Sequence, residues 1–142
     1  MEHDPLPLDE VVDVAEFRAA LRRFLRHSER IARKSGLTPQ RHLLLLMIKG
    51  APSGTEQSTV TELAERLQLA QSTVTELVRR AEEAGLVKRE QSAADGRVAH
   101  LRLTAEGEHR LAKSFTSHAA ERHELQEAFR HLGEHQTERP RL

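Results

Sequence analysis

The fold is decided by residues 59–103, which read TVTELAERLQLAQSTVTELVRRAEEAGLVKREQSAADGRVAHLRL. Thr59 and Glu62 have the spacing of a capping box, in which two side chains satisfy backbone donors at the start of a helix. A short helix therefore begins at Val60, and after a tight turn at residues 68–70 a second helix is predicted over residues 71–84. The apolar residues of the second helix recur at the spacing that commits one helical face to a core: Val74, Leu77, Val78 and Ala81.

A β-hairpin is predicted directly after the second helix. Gly85 ends that helix, an extended segment follows as far as Glu90, and the pair Asp95-Gly96 marks a turn. The return strand, residues 97–103, alternates between apolar and polar side chains. Two short helices joined by a tight turn and followed by a hairpin make a winged helix-turn-helix. In that geometry the second helix lies in a DNA major groove, and the hairpin reaches along the backbone.

Longer helices are predicted around this unit. Residues 10–34 carry apolar side chains at three- and four-residue steps and are followed by Gly36, which ends the helix. Thr38 and Pro39 then supply the N-cap and the first position of another helix. Because its run Leu43–Ile48 makes that helix apolar nearly all round, we expect it at the centre of the fold.

The C-terminal part is predicted as a single helix. Thr104 supplies its N-cap, no Gly or Pro interrupts residues 108–132, and Gly133 ends it. An acidic tail, residues 1–9, precedes the first helix, and a polar tail, residues 134–142, follows the last. The predicted fold class is therefore mainly α with a β-hairpin wing.

The composition limits the class of protein. A chain of 142 residues fits one domain, but only 37% of it is apolar and its four aromatic residues are all Phe. So few apolar and aromatic residues suit a helical protein that completes its core by pairing with a second copy. The chain has no Cys, which excludes disulfides and thiolate sites. Residues 1–10 lack the pattern of a signal peptide, so we expect a cytoplasmic protein that does not span a membrane.

The formal net charge is zero, but the charges are unevenly placed. Residues 18–41 carry eight basic residues and one acidic residue, Glu29. Such a run is typical of a solvated helix face and also of a surface that faces phosphate. The charge pattern therefore permits a nucleic-acid partner without requiring one.

The outward face of the second helix carries polar residues that suit DNA. Gln pairs with adenine, Ser and Thr with several base edges, Glu with the cytosine amine, and Arg with guanine. Backbone amides at the positive end of the helix would hold a phosphate. Solvated polar residues look the same on a lone helix, but the capping box, Gly85 and the hairpin favour DNA contact. These outward residues are Gln71, Ser72, Thr75, Glu76 and Arg79.

Five short motifs carry a resemblance to a known family. They are Leu37-Thr38-Pro39-Gln40, Ser72-Thr73-Val74-Thr75, Ala84-Gly85-Leu86-Val87, Asp95-x-Arg97 and Leu103-Thr104-x-x-Gly107. With them, the chain resembles the multiple-antibiotic-resistance regulator (MarR) family of winged-helix repressors over about residues 14–130. The resemblance implies a homodimeric transcriptional regulator of double-stranded DNA with a pseudo-palindromic operator. It assigns dimerisation to residues 10–34 and 104–133, and DNA binding to residues 37–103.

The resemblance also implies roles for individual residues. Arg97 at the wing tip would enter the minor groove, Asp95 would hold the wing by pairing with an arginine, and Arg89 is the basic residue at the wing base. The DNA-binding residues are thus expected to be Gln71, Ser72, Thr73, Thr75, Glu76, Arg79, Arg89, Asp95 and Arg97.

The chain departs from the family pattern in three places. Ala70 stands where the family usually has a Ser, Thr or Asp cap, and Glu76 occupies a position that is often basic. One uninterrupted C-terminal helix is predicted where the family commonly folds two. The operator sequence and the detailed dimer geometry therefore cannot be borrowed from relatives.

Relatives often bind a small anionic or aromatic effector between the dimer helices and the DNA-binding lobe. Here its lining would be Phe24, His27, His42 and Leu46, with Arg23 or Arg30 as the anion partner. An ordinary place in the core or on the surface is favoured over ligand binding for each of these residues.

Three other functions compete with plain DNA binding as interpretations of the sequence. His131 and His135, spaced i, i+4, with His118 and His123 nearby, suggest a metal-sensing regulator, but no inward carboxylate completes a site. We therefore predict no metal and no cofactor. An enzyme is not expected, because the chain has no Gly-rich phosphate loop, nucleophile elbow or HExxH motif. A winged helix used for protein contact is favoured only by Glu76 and the zero net charge.

Overall fold

The computed structural model describes residues 4–137, and this part of the chain folds into six helices and one two-stranded antiparallel sheet. The elements are α1 (Leu8–Lys34), α2 (Pro39–Lys49), α3 (Val60–Leu67), α4 (Gln71–Glu83), β1 (Val87–Gln91), β2 (Ala99–Leu103), α5 (Ala105–Thr116) and α6 (Ala119–Thr137). They divide into two compact units. Within the described range, one unit comprises residues 4–31 and 117–137, and the other residues 32–116.

The unit of residues 32–116 has one apolar core, with α2 at its centre. Leu44, Leu45 and Ile48 of α2 are fully buried, together with Leu63 of α3. Val74, Val78 and Ala81 of α4 join the same core, as does Leu101 of β2. The predictions of a central α2 and of an inward face on α4 are therefore confirmed.

The predicted caps are present at the starts of α2 and α3. Thr38 accepts a hydrogen bond from the backbone N–H of Arg41 at 3.1 Å. At the start of α3, the Thr59 hydroxyl accepts from the backbone N–H of Glu62, and the Glu62 carboxylate accepts from that of Thr59, both at 3.2 Å. This reciprocal pair is the predicted capping box.

The hairpin forms the wing, but its return strand is shorter than predicted. β1 pairs with β2 in a register that sets Val87 opposite Leu103, and Ser58 pairs with Leu101 on the far side of β2. The strand begins at Ala99 and not at residue 97. The reason is local, because the backbone N–H of Val98 donates to the carbonyl of Asp95 at 3.0 Å and so belongs to the turn.

Thr104 ties the end of the wing to the end of α4. Its hydroxyl donates to the Gly85 carbonyl at 2.6 Å and accepts from the N–H of Gly107 at 3.1 Å, so the same oxygen caps α5. Its backbone N–H donates to the carbonyl of Leu86 at 3.0 Å. Gly85 has φ of +75°, a left-handed conformation that suits the glycine predicted to end α4.

The prediction of one uninterrupted C-terminal helix is wrong. α5 ends at Thr116, residues 117 and 118 form a turn, and α6 continues beyond Gly133 to Thr137. The hydroxyl of Thr116 donates to the carbonyls of Ala112 and Lys113, both at 3.3 Å. Ser and Thr compete in this way with regular helix geometry. Periodicity did not show the break, because no Gly or Pro marks it.

The other unit pairs the body of α1 with α6. Phe17 and Phe129 meet edge to face with ring centroids 6.0 Å apart, and Arg23 forms an ion pair with Glu124 at 2.7 Å. His118 is buried and stacks on Phe24 at a centroid distance of 4.4 Å. α1 begins at Leu8, two residues before its predicted start.

None of the helices in residues 4–137 combines the length and the hydrophobicity that crossing a lipid bilayer requires.

Gly107 and Gly133 offer a matched pair of substitutions with opposite expected effects. A Cβ at Gly107 would lie 2.2 Å from the carbonyl oxygen of Leu86, whereas a Cβ at Gly133 meets no atom within 4 Å. We expect Gly107→Ala to destabilise the protein by about 1–3 kcal/mol through overpacking. Gly133→Ala should stabilise α6 by about 0.5–1 kcal/mol. Thermal unfolding followed by circular dichroism measures both, and equal shifts of the same sign would contradict the packing at Gly107.

His118 should make stability depend on pH. Burial lowers its pKa from the ordinary value of 6.5, while a hydrogen bond to the backbone of Phe24 opposes that shift. His27 and Arg122 lower the pKa further, and Glu121 raises it. Because the unfolded chain then binds this proton more readily, the stabilising contribution is complete above pH 6.5 and is lost as pH falls below it.

The measurement compares melting temperatures at pH 7.5 and 5.5. His118→Gln should lose less stability on acidification than the wild-type chain, and the exposed His123→Gln serves as the control. If both variants kept the wild-type pH dependence, His118 would not be its source.

Candidate nucleic-acid interface

The outward face of α4 presents the residues predicted to contact DNA. Gln71, Ser72, Thr73, Thr75 and Arg79 are exposed, and Glu76 is half-buried. Their orientation follows from the core, because the opposite face of α4 is fully buried in it. A helix held on one side by packing has no freedom to rotate, so these side chains stay outward.

The start of α4 has no side-chain cap, as its sequence predicts. Ala70 occupies the N-cap position in an extended conformation and offers no acceptor to the first backbone amides. The preceding Gln68 has φ of 55° and ends α3 in a left-handed conformation. The uncapped amides lie at the positive end of the helix dipole, where an anion such as a phosphate is stabilised.

Gln71 and Thr75 each have a hydrogen-bond partner within the protein. The Thr75 hydroxyl donates to the carbonyl of Gln71 at 2.8 Å. The Gln71 amide donates to the hydroxyl of Thr61 at 3.4 Å, a contact that connects α4 to α3. Thr75 therefore keeps acceptor lone pairs for a ligand, and Gln71 would exchange a weak contact for one with a base.

Glu76 is the centre of a charge cluster on α4. Arg79 donates to both of its carboxylate oxygens, from Nε at 2.9 Å and from Nη2 at 2.5 Å, and Arg80 donates from Nε at 3.1 Å. Arg79 also contacts Glu83. The hydrogen bond from Arg79 is the main cause that lowers the pKa of Glu76 to about 2. Sequence reasoning named Glu76 and Arg79 as separate contacts and missed Arg80, whose i+4 spacing was the available signal.

The wing residues are exposed, but Asp95 acts differently from the expectation. Within residues 4–137 no ion pair joins Asp95 to a guanidinium. Its carboxylate instead accepts from the backbone N–H of Arg97 at 3.0 Å. Asp commonly bonds the backbone two residues ahead, which closes a turn. Arg89 donates to Glu82 at 2.8 Å, and the exposed Arg97 stands at the tip.

A second charge cluster supports the wing from the loop before α3, and sequence reasoning missed it. Arg102 of β2 donates to the Thr55 carbonyl at 3.3 Å and to the Gln57 side chain at 3.2 Å. Glu56, with φ of 59°, pairs with Lys49 at 2.9 Å, and that contact lowers the pKa of Glu56. Only the folded chain brings these segments together. The outward position of Arg102 on a strand was the one signal in the sequence that it could have a polar partner.

The predicted effector residues fall into two groups. In one unit, Phe24 and His27 both stack on His118, at centroid distances of 4.4 and 5.3 Å. In the other, Leu46 packs against the core. His42 there donates to Ser114 at 3.0 Å, since the Ser114 hydroxyl itself donates to a backbone carbonyl.

A groove of about 420 Å³ in the first unit has a different lining. Arg23 contributes to it, and Phe24 and His27 do not; its other residues are Asp13, Glu16, Ala20, Glu124, Ala128 and His131. The effector site therefore stays a prediction.

Those histidines of the suggested metal site that the structure describes do not form a ligand cluster. Among the described residues, no group of three or more His, Asp or Glu side chains has the arrangement to hold a metal ion. His131 pairs with Glu134 at 2.9 Å. The side chain of His135 lies outside the described part of the chain.

Comparison with family models gives a match over part of the chain. Residues 35–98 match the model of the MarR family, a span that includes α2, α3, α4 and β1. No curated protein matches the sequence significantly.

Solved structures share the fold, among them two that are described as MarR family transcriptional regulators, Sco3205 and AbsC. Sco3205 from Streptomyces coelicolor, a MarR family regulator in complex with DNA, is 24% identical with a TM-score of 0.64, over 87% of this chain and 77% of that one. A MepR mutant from S. aureus, bound to an oligodeoxyribonucleotide, is 20% identical with a TM-score of 0.63, over 77% and 78%. AbsC from Streptomyces coelicolor is 23% identical with a TM-score of 0.62, over 72% and 68%.

These findings confirm the predicted winged helix-turn-helix fold. The sequence match across the helix-turn-helix and the fold shared over most of the chain show that this protein is similar to MarR family transcriptional regulators.

Proposed function

We propose that this regulator binds double-stranded DNA as a cytoplasmic homodimer and represses transcription from a pseudo-palindromic operator. One observation carries the proposal. The outward face of α4 joins an uncapped helix start to hydrogen-bonding side chains, with the exposed Arg97 on the wing that follows. Helix amides position a phosphate, side chains read base edges, and an arginine enters a narrow minor groove.

Two relatives support DNA as the partner. The Sco3205 structure is a complex with DNA, and the MepR mutant is bound to an oligodeoxyribonucleotide. In both comparisons the fold shared with this chain includes most of its length. The residues proposed for the contact are Gln71, Ser72, Thr73, Thr75, Glu76, Arg79, Arg89, Asp95 and Arg97, with Asp95 acting through the wing turn.

The dimer is proposed from apolar side chains that α1 and α6 leave exposed. Phe129 of α6 is 66% exposed, and Leu8, Val12, Val14 and Leu25 of α1 are each at least half exposed. A second copy would cover such a surface, which is unusually apolar for a monomer. Two-fold symmetry would place the two α4 helices about 34–36 Å apart, one turn of DNA, and so select a palindromic site.

Repression follows if the operator overlaps a promoter. A small anionic or aromatic effector could bind preferentially to a dimer in which the spacing of the two α4 helices no longer matches the operator. Such an effector would release the DNA. Phe24, His27, His42 and Leu46 are the residues proposed for that effector.

A protein-interaction module is the second candidate, and one observation favours it. α4 carries three Glu and two Arg, and both arginines are paired with carboxylates. Salt dependence separates the candidates, because DNA affinity falls with a log–log slope of about −0.9 per phosphate contact.

The test is fluorescence anisotropy of labelled DNA from the gene's own upstream region, against a scrambled duplex, across a salt series. The label belongs on the DNA because the chain has no Trp and no Tyr. A tenfold or greater preference for the upstream fragment would support the proposal. Equal weak binding of both fragments, followed by capture of a protein partner, would favour the second candidate.

Arg97→Ala and Gln71→Ala should affect binding differently. Arg97→Ala removes a minor-groove contact and should weaken operator binding at moderate salt. Gln71→Ala should cost about 1–3 kcal/mol of base discrimination at one operator position. Arg130→Ala, which removes an exposed charge from α6, is the control, provided that sedimentation equilibrium shows it to be as dimeric as the wild type. Unchanged affinity of Arg97→Ala would contradict the role of the wing.

The dimer is tested by sedimentation equilibrium. We expect a mass of twice the 16.1 kDa of one chain. Val14→Asp places a charge on the exposed apolar surface and should shift the equilibrium toward monomer. Leu43→Asp makes the same kind of change at an exposed residue of α2 and should leave the dimer intact. A monomeric wild-type protein at micromolar concentration would contradict the proposed interface.

A further inference from the structure

The charged residues of α4 neutralise one another before any DNA is bound. Glu76 pairs with both arginines of the helix, at 2.5 Å to Arg79 and 3.1 Å to Arg80. Arg79 has Glu83 as a second partner. At the base of the wing, Arg89 pairs with Glu82 at 2.8 Å. The basic groups next to the candidate base-reading residues therefore each carry an internal counter-charge.

Such pairing bears directly on non-specific DNA binding. That binding is driven by cations that neutralise phosphates and release condensed counterions, whatever the base sequence. A guanidinium that already holds a carboxylate must give up this partner or bring a negative charge close to the phosphate. Either event costs free energy that a free arginine would not lose.

From this geometry we infer that Glu76 is a specificity-determining residue, which suppresses non-specific DNA binding by holding Arg79 and Arg80 as an internal competitor of phosphate. The inference rests on the proposed function, because it presupposes that α4 contacts DNA. The role inferred for Glu76 differs from that of a residue that only contacts a base. Glu76 would lower the affinity for DNA of the wrong sequence as well as contribute to binding the right one. Specificity often needs such a repulsive element.

The ion pairs of Glu76 are suited to be exchanged for contacts with DNA at the correct site. The pairs are exposed and lie on a single helix at i, i+3 and i, i+4 spacing, and exposed pairs of this kind contribute little to stability. A cytosine amine can donate to Glu76, and the released guanidiniums can then reach guanine or phosphate. At a wrong sequence the carboxylate finds no donor, so both arginines remain with it.

Glu76 also stays charged under ordinary conditions. Because Arg79 lowers its pKa to about 2, protonation does not release the arginines at any pH where the protein would be assayed. Removing the charge therefore requires a substitution, and Glu76→Gln keeps the shape of the side chain.

The experiment measures the affinity of Glu76→Gln for the upstream fragment and for the scrambled duplex across a salt series. One added phosphate contact steepens the log–log slope by about 0.9, which corresponds to about eightfold tighter binding at 0.1 M salt relative to 1 M. We expect Glu76→Gln to gain at least this much affinity for the scrambled duplex. Its affinity for the upstream fragment should rise by less, or fall. The ratio of the two affinities should therefore fall.

Glu127→Gln is the matched control. Glu127 pairs with Arg130 at 2.6 Å and i, i+3 spacing, so the substitution makes the same charge change at the same kind of pair on α6. Because α6 belongs to the proposed dimer surface, the control requires that sedimentation equilibrium show Glu127→Gln to be as dimeric as the wild type; its binding to both fragments should then equal that of the wild type. Equal gains in the two variants would show a general charge effect and would overturn the inference.

The remaining outcomes separate the inference from the proposed function. Wild-type preference for the upstream fragment, with unchanged scrambled-duplex binding by Glu76→Gln, would overturn the inference alone. If the wild type bound neither fragment, the proposed function would fail, and the inference with it. Glu76→Ala, which also releases Arg79 and Arg80, should change binding in the same direction and replaces Glu76→Gln if circular dichroism shows that variant to be unfolded.

Discussion

The burial of one face of α4 is the constraint on which the rest of the structure depends. Val74, Val78 and Ala81 lie in a single core with Leu44 and Leu45 of α2. Because interiors are close-packed, this contact sets the rotation of α4 about its axis. Every polar residue on the opposite face is then presented outward as a group. The candidate DNA surface is in this sense a consequence of apolar packing.

The wing depends on the same core through a short polar junction. Thr104 bonds the carbonyls of Gly85 and Leu86 and also the N–H of Gly107, so one residue joins the end of α4, the hairpin and the start of α5. Gly107 permits this close approach, since its missing side chain leaves room for the Leu86 carbonyl. The position of the wing relative to α4 therefore follows from hydrogen bonds between backbone and side chain and not from apolar area.

Local chemistry made much of the fold predictable. The caps at Thr38 and Thr59, the helix end at Gly85 and the uncapped Ala70 each depend on neighbours within four residues. The break after Thr116 escaped prediction, because its hydroxyl competes with helix geometry without any Gly or Pro to mark the position. The late start of β2 also escaped prediction, because the backbone N–H of Val98 bonds within the turn and Val98 is therefore not part of the strand.

The sequence by itself determined the fold class, the inward face of α4 and the types of residue available on its outward face, because helical periodicity and capping are local properties. Only the tertiary structure decided which groups these residues meet. It turned the Asp95 carboxylate to the backbone of Arg97, gathered Arg79 and Arg80 on Glu76, and joined Glu56 to Lys49. Ion pairs and hydrogen bonds depend on distances of about 3 Å, which residue spacing limits but does not specify.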